Sequence, residues 1–209
     1  ETINALDRNI SLNPIINSFQ NTVKKYRIEW DLIDSFLESM EYDLSHNTCS
    51  DTSYKKYIAG SASAVGLMCL QIFNKDNAIS YKELKPYAES LGSAFQKVNF
   101  LRDMSADYKD LDRVYFPGLN ITKFDNDQKE IIANDIEKEF AHSLEGIKCL
   151  NKNAQQGVYL AYKYYVVLFQ KIKRADSAYI LERRIRISNF KKVLITISCF
   201  IRVKIGLIT

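Results

Sequence analysis

Residues 98–117, VNFLRDMSADYKDLDRVYFP, place Asp103 and Asp107 four apart in a segment that otherwise reads as a buried helix. At about 100° per residue, Gln96, Asn99, Asp103 and Asp107 fall within an arc of about 80° and stack over roughly three turns. Val98, Phe100 and Leu101 occupy the other faces, so the polar stripe is flanked by apolar groups. On an open surface two like charges one turn apart cost about 0.3 kcal/mol. Partly buried and without a counter-charge, they cost several kcal/mol each. A divalent cation removes that cost. Asp carboxylates and an Asn amide oxygen are hard donors, and Mg²⁺ is the ion that takes one or two carboxylates plus phosphate oxygens. Arg102 and Arg113 bracket the stripe, and guanidinium suits bidentate phosphate contact. On the Asp-x-x-x-Asp spacing alone, an ordinary surface lattice of ion pairs stays open as the alternative.

The rest of the chain agrees with a helical setting. Its 209 residues, 46% hydrophobic, suffice for one domain with a single core, and only 3 Pro and 7 Gly interrupt it. An all-α fold follows. Apolar spacing of three to four predicts two helices between Pro14 and Asp43 with a break at Lys25–Arg27, then a loop over 45–51 with Asp51 or Thr52 as the next cap. Further helices are expected over 53–74, over 79–108 with a break at Pro86, over 126–150, over 154–172 and from Asn189 into the tail. Phe116-Pro117-Gly118 stops the segment that carries the aspartates.

Within 53–74, Gly60, Ser61, Ala62, Ser63, Ala64 and Gly66 crowd one helical stretch, where each Gly costs about 1 kcal/mol relative to Ala. Two compensations stay open: close packing of another helix, or space for a bulky apolar substrate. Asp31, Asp34 and Glu38, at i, i+3 and i+7, read as a solvated helix face.

The net charge is +4, with Lys171, Lys173, Arg174, Arg183, Arg184, Arg186, Lys191, Lys192, Arg202 and Lys204 concentrated toward the C-terminus. That mild bias does not call for a nucleic-acid partner; a solvated basic face, anionic headgroups or diphosphates are the readings it allows. The 4 Cys form no Cys-x-x-Cys pair, His46 near Cys49 lacks a second ligand pair, and His142 stands alone, so zinc is not expected and reduced thiols of a cytoplasmic protein are. The apolar tail LITISCFIRVKIGLI is broken by Arg202 and Lys204 before it reaches about 20 residues, which predicts a soluble or peripheral protein rather than a spanning one.

The string NFLRDMSADYKDLDRVYFP resembles the second aspartate-rich motif of the phytoene/squalene synthase family, NxxRDxxxD followed by RxYFP. Asn99, Arg102, Asp103 and Asp107 match the first part, and Arg113, Tyr115, Phe116 and Pro117 the second. A preceding YxxG element is matched by Tyr57 and Gly60, and LGxAFQxxN by Leu91, Gly92, Ala94, Phe95, Gln96 and Asn99. The likeness runs over nearly the whole chain and is closest to bacterial phytoene synthases.

The resemblance implies a single helical bundle around a central cavity, of the isoprenoid synthase type, over 1–209. It implies Mg²⁺, with Mn²⁺ able to substitute, held by Asn99, Asp103 and Asp107 on a prenyl diphosphate. Arg102 and Arg113 would neutralise phosphate, with Gln96 and Tyr115 nearby, Gly60 in the chain-binding wall, and Tyr57 facing the carbocation. Tyr179 and Arg184, in AYILERRIRI, resemble a C-terminal element near the diphosphates. For Tyr159, Tyr162 and Tyr165, core packing and a cation-facing role both stay open. The implied reaction is head-to-head condensation of two geranylgeranyl diphosphates to phytoene, with squalene or dehydrosqualene from farnesyl diphosphate as the alternative, and a non-catalytic helical homologue as the reading from another class. A lipid product implies peripheral membrane contact. The family's first aspartate-rich motif has no counterpart here, so the first helices are expected to be missing from this chain.

Overall fold

The computed structural model describes residues 1–44, 50–75 and 77–208. Among the described residues there are ten α-helices and no β-strand: α1 (Thr2–Arg8), α2 (Pro14–Tyr26), α3 (Trp30–Tyr42), α4 (Asp51–Ile58), α5 (Ala64–Phe73), α6 (Tyr81–Leu111), α7 (Asn126–Lys148), α8 (Lys152–Arg174), α9 (Ser177–Glu182) and α10 (Asn189–Lys204). His46 and Cys49 lie outside the described residues; Cys69, Cys149 and Cys199 are free thiols.

The spine is α6. Ser80 and Glu83 form a reciprocal capping box at its start, with Glu83 N–H donating to Ser80 Oγ at 3.3 Å and Ser80 N–H to Glu83 Oε2 at 3.1 Å. Pro86 does not break it. At the other end Asp112 adopts a left-handed conformation (φ 49), and Arg113 N–H bonds back to Asp107 C=O at 3.0 Å, so the helix stops before Phe116-Pro117 does the stopping. The cap of the preceding helix pair is Ser50, not Asp51 or Thr52: its side chain accepts from Ser53 N–H.

Between α4 and α5 the chain winds through a π-helical turn, Ala59–Ser63, which the apolar spacing does not betray. The whole run Asp51–Phe73 is long and apolar enough to cross a membrane, contrary to the reading from the tail alone, yet half of it is buried against α3 and α6, as a core helix is. Its small residues divide the two roles left open above. Gly60 is pressed on α3, where an added Cβ would lie 1.9 Å from Ser39 Oγ and 2.2 Å from Ser35 C=O. Gly92 on α6 meets the turn so closely that a Cβ there would lie 2.6 Å from Ala62 C=O. Ser61, Val65 and Cys69 face a cavity, and Ala62 and Gly66 do both, lining the cavity while meeting α6 closely at Gly92 and at Ala88, whose C=O would lie 2.9 Å from a Cβ on Gly66.

That cavity, about 550 Å³ and open on one side, is lined by α5, α6, α7, α8 and the π-helical turn. Along α6 it extends from Asn99 down to Leu84, about 22 Å at 1.5 Å per residue. On α8, Val158, Ala161 and Tyr165 line it, while Tyr162, Phe169 and Ile172 turn into the core. Near its lower end the α5–α6 and α7–α8 connections are joined: Asn151 Nδ2 donates to Phe73 C=O at 2.7 Å and Asn77 Nδ2 to Cys149 C=O at 3.2 Å. Buried Lys97 pins α6 to α7, bonding Asp135 at 2.5 Å and Glu139 at 2.8 Å. As read from the sequence, Asp31, Asp34 and Glu38 are exposed.

Candidate active site

The polar stripe of α6 begins inside the cavity and continues past it. Gln96 and Asn99 line the upper wall; Asp103 and Asp107 follow one and two turns further along the same face. Tyr165 donates its hydroxyl to Asn99 Oδ1 at 3.1 Å and stacks its ring on Phe95, 3.9 Å between centroids. It thereby fixes the amide that separates the apolar space from the acidic end.

Asp103 carries two guanidinium groups. Arg102 approaches through Nε at 3.0 Å and Nη2 at 2.5 Å, and Arg184, arriving from the extended segment after α9, through Nε at 2.6 Å and Nη2 at 3.3 Å. Asp107, by contrast, has no hydrogen bond or ion pair to another side chain among the described residues. Burial and then the neighbouring Asp103 charge push its carboxyl above the usual carboxylate range, against the pull of Arg113, Arg184 and Arg102. An under-compensated carboxylate one turn from a doubly paired one is a place where a cation is favoured.

A second assembly adjoins the stripe. Arg113 donates through Nη2 to Asp43 C=O at 2.6 Å and through Nη1 to Asp43 Oδ1 and to Tyr115 Oη, both at 3.1 Å. Tyr57 donates to Asp43 Oδ2 at 2.9 Å, and burial, then Tyr115 and Asp43, push its phenol far up, so it stays protonated. The Tyr115 ring stacks on Phe100 at 4.0 Å. Thus Arg113, Tyr115 and Tyr57 of the predicted set come together around Asp43, a residue the motif reading did not single out. Its one signal in the sequence is position: Asp43 closes α3 in the stretch FLESMEYDL, about 140° round the helix from Glu38 and so off the solvated acidic face.

Two predicted residues fall elsewhere. Gly60 packs on α3 rather than lining the cavity. Tyr179, on α9, is 47% exposed, and no hydrogen bond or ion pair among the described residues joins it to the aspartates. Tyr159 and Tyr162 are buried core side chains, whereas Tyr165 reaches the cavity.

No group of three or more His, Cys, Asp or Glu among the described residues forms a closed metal cage. Two carboxylates on one helix face, one of them unpartnered, fit the chemistry of an ion that completes its shell with phosphate oxygens and water, which is the habit of Mg²⁺.

The sequence model of the family described as squalene/phytoene synthase matches residues 1–191. The chain is 23% identical over 195 residues to 4,4'-diapophytoene synthase of Staphylococcus haemolyticus, covering 85% of this chain and 66% of that protein. It is 24% identical over 108 residues to phytoene synthase of Mycobacterium tuberculosis, covering 51% of this chain and 34% of that one. The chain therefore spans two thirds or less of the length of these relatives. Among solved structures it is similar to a dehydrosqualene synthase in complex with ligand (TM-score 0.77, 17% identity, 97% of this chain and 75% of that one). It is also similar to the squalene synthase HpnC from Alicyclobacillus acidocaldarius (TM-score 0.72, 15% identity, 83% of this chain and 70% of that one). At such identities the structural likeness speaks for the fold.

Proposed function

The chain is a member of the squalene/phytoene synthase family, and we propose that it supplies the second aspartate-rich half of a synthase that joins two prenyl diphosphates head to head. The observation that carries this reading is the juxtaposition on α6 of a deep apolar cavity, an amide, and a doubly paired and an unpartnered aspartate.

In this reading the prenyl chain lies in the cavity and its diphosphate sits at Asn99, Asp103 and Asp107. Those three residues would hold Mg²⁺, or Mn²⁺ in its place, which supplies charge neutralisation to the departing diphosphate. Arg102 and Arg184 are placed to exchange Asp103 for phosphate oxygens, since guanidinium forms bidentate pairs with either. The donor's C1–O bond breaks, diphosphate departs with the electron pair, and the C2–C3 alkene of the second substrate attacks C1. Loss of a proton closes a cyclopropane; the second diphosphate then leaves, and rearrangement with loss of a further proton gives phytoene, a C40 hydrocarbon with a central conjugated triene, from two geranylgeranyl units, without a nicotinamide. Tyr165, Phe95 and the apolar wall keep water from the cation; Tyr165 and Phe95 line the cavity and offer it ring faces, whereas the protonated Tyr57 lies outside that lining, bonded to Asp43.

A second reading, farnesyl diphosphate as substrate and dehydrosqualene (4,4'-diapophytoene) as product, is favoured by the sequence likeness to 4,4'-diapophytoene synthase over 85% of this chain. The test is to incubate the whole natural protein with Mg²⁺ and each diphosphate and to identify the hydrocarbon in the lipid extract. Phytoene supports the first reading, a C30 product the second, and no hydrocarbon from either substrate refutes both.

A further inference from the structure

The cavity is deeper than a C15 chain needs. An extended chain advances about 1.2 Å per bond, so an isoprene unit, with four main-chain bonds, covers about 5 Å. Three units then end about 15 Å below the diphosphate, and a fourth reaches about 20 Å. On α6 the lining residues Leu91, Tyr87 and Leu84 lie about 12, 18 and 22 Å below Asn99 at 1.5 Å per residue. Helix α8 runs the same way, since Asn151 at its start bonds Phe73 at the lower end and Tyr165 bonds Asn99 at the upper. Its lining residue Ala154 therefore lies about 16 Å below the level of Asn99. Tyr87 and Ala154 border the space that a fourth unit enters and a third does not.

The Tyr87 side chain is held in a socket made by α7. A Cβ on Gly146 would lie 2.2 Å from Tyr87 Cβ and 2.6 Å from Cγ, so the α7 backbone touches the root of the side chain. The His142 ring covers the Tyr87 ring at 4.6 Å between centroids, and Ser90 Oγ fixes His142 through Nδ1 at 2.8 Å. With α7 behind the ring and His142 over it, the cavity is the free side, and added bulk at 87 goes there. The geometry points to Tyr87 and Ala154 as the specificity-determining pair that admits a fourth isoprene unit, and with it C20 as well as C15 diphosphates. This inference rests on the reading of the cavity as the site of the prenyl chain.

The test titrates the whole natural protein, with Mg²⁺ in a calorimeter, with farnesyl and with geranylgeranyl thiodiphosphate. The native protein should bind both. Tyr87→Trp and Ala154→Leu overfill the level of the fourth unit, and each should weaken the C20 analogue about tenfold or more while leaving the C15 analogue within about twofold. Circular dichroism identifies a variant that has not folded, and the other, on a different helix, then decides. An unchanged ratio of C20 to C15 affinity in the folded variants overturns the proposal. So does equal loss of both analogues, or a native protein that binds the C15 analogue alone. A native protein that binds neither contradicts the proposed function, and this inference with it.

Discussion

Two arginine–aspartate assemblies border the acidic stripe, and they are built differently. Around Asp43 the guanidinium of Arg113, 13% exposed, bonds a side-chain oxygen, a backbone carbonyl and a phenol, and a second phenol caps the remaining carboxylate oxygen. Around Asp103 two guanidinium groups crowd one carboxylate, and one of them, Arg184, is 46% exposed at the end of an extended segment. The first is nearly closed: among the described residues only the buried Nε of Arg113 lacks an acceptor, every other contact ties one part of the fold to another, and removing a partner orphans a buried group. The second is over-supplied with positive charge at Asp103 and under-supplied at Asp107 one turn away, an imbalance that an incoming diphosphate and its cation would correct. A buried ion network that locks and one that waits for a ligand are therefore distinguishable by counting partners per carboxylate.

The largest expected effect falls on the closed assembly. Arg113→Ala leaves Asp43 partly buried without its cation, and urea denaturation followed by circular dichroism should show a loss of about 3 kcal/mol. Tyr57→Phe removes one hydrogen bond to the same carboxylate and should cost about 1 kcal/mol by the same measurement. At the open assembly Arg184→Gln should change stability by less than about 0.5 kcal/mol, because a half-exposed ion pair contributes little. It should instead weaken binding of inorganic diphosphate about tenfold by calorimetry. Equal stability losses for Arg113→Ala and Arg184→Gln would erase the distinction. The smallest effect is a pH dependence. The carboxyl of Asp107 titrates above its ordinary value in the folded chain, so the native state binds the proton more tightly and the residue's contribution to stability falls as pH rises through the window above 3.8. Asp107→Asn should thus be slightly more stable than the native protein at neutral pH, with the gap closing on acidification toward 3.8.

Most helices were legible because their apolar faces repeat at helical spacing; α8 and α10 lie within two residues of where periodicity sets them. The acidic stripe on α6 was legible because one helix carries it, so angular position follows from residue number. What was hidden depends on neighbours. Gly60 matched a motif, yet only the position of α3 decides that its missing Cβ makes room for Ser35 and Ser39. Asp43 sits 70 residues from Arg113 in the chain, and a one-helix pattern cannot pair them. Pro86 reads as a breaker, but α6 is fixed on both sides of it, by the Ser80–Glu83 box before and by packing on α5 and α7 after. The π-helical turn and the short helices α1 and α9 lack the length over which periodicity becomes visible.

The central claim is that the unpartnered Asp107, beside the arginine-bound Asp103, takes a cation together with a prenyl diphosphate. It is tested most directly by titrating the whole natural protein with geranylgeranyl thiodiphosphate, an unreactive analogue, in a calorimeter with Mg²⁺ and then with EDTA, for the native protein and for Asp107→Asn. The account predicts binding that requires Mg²⁺ and weakens at least about tenfold in the variant. Binding of equal strength in EDTA, or unchanged by Asp107→Asn, would contradict it.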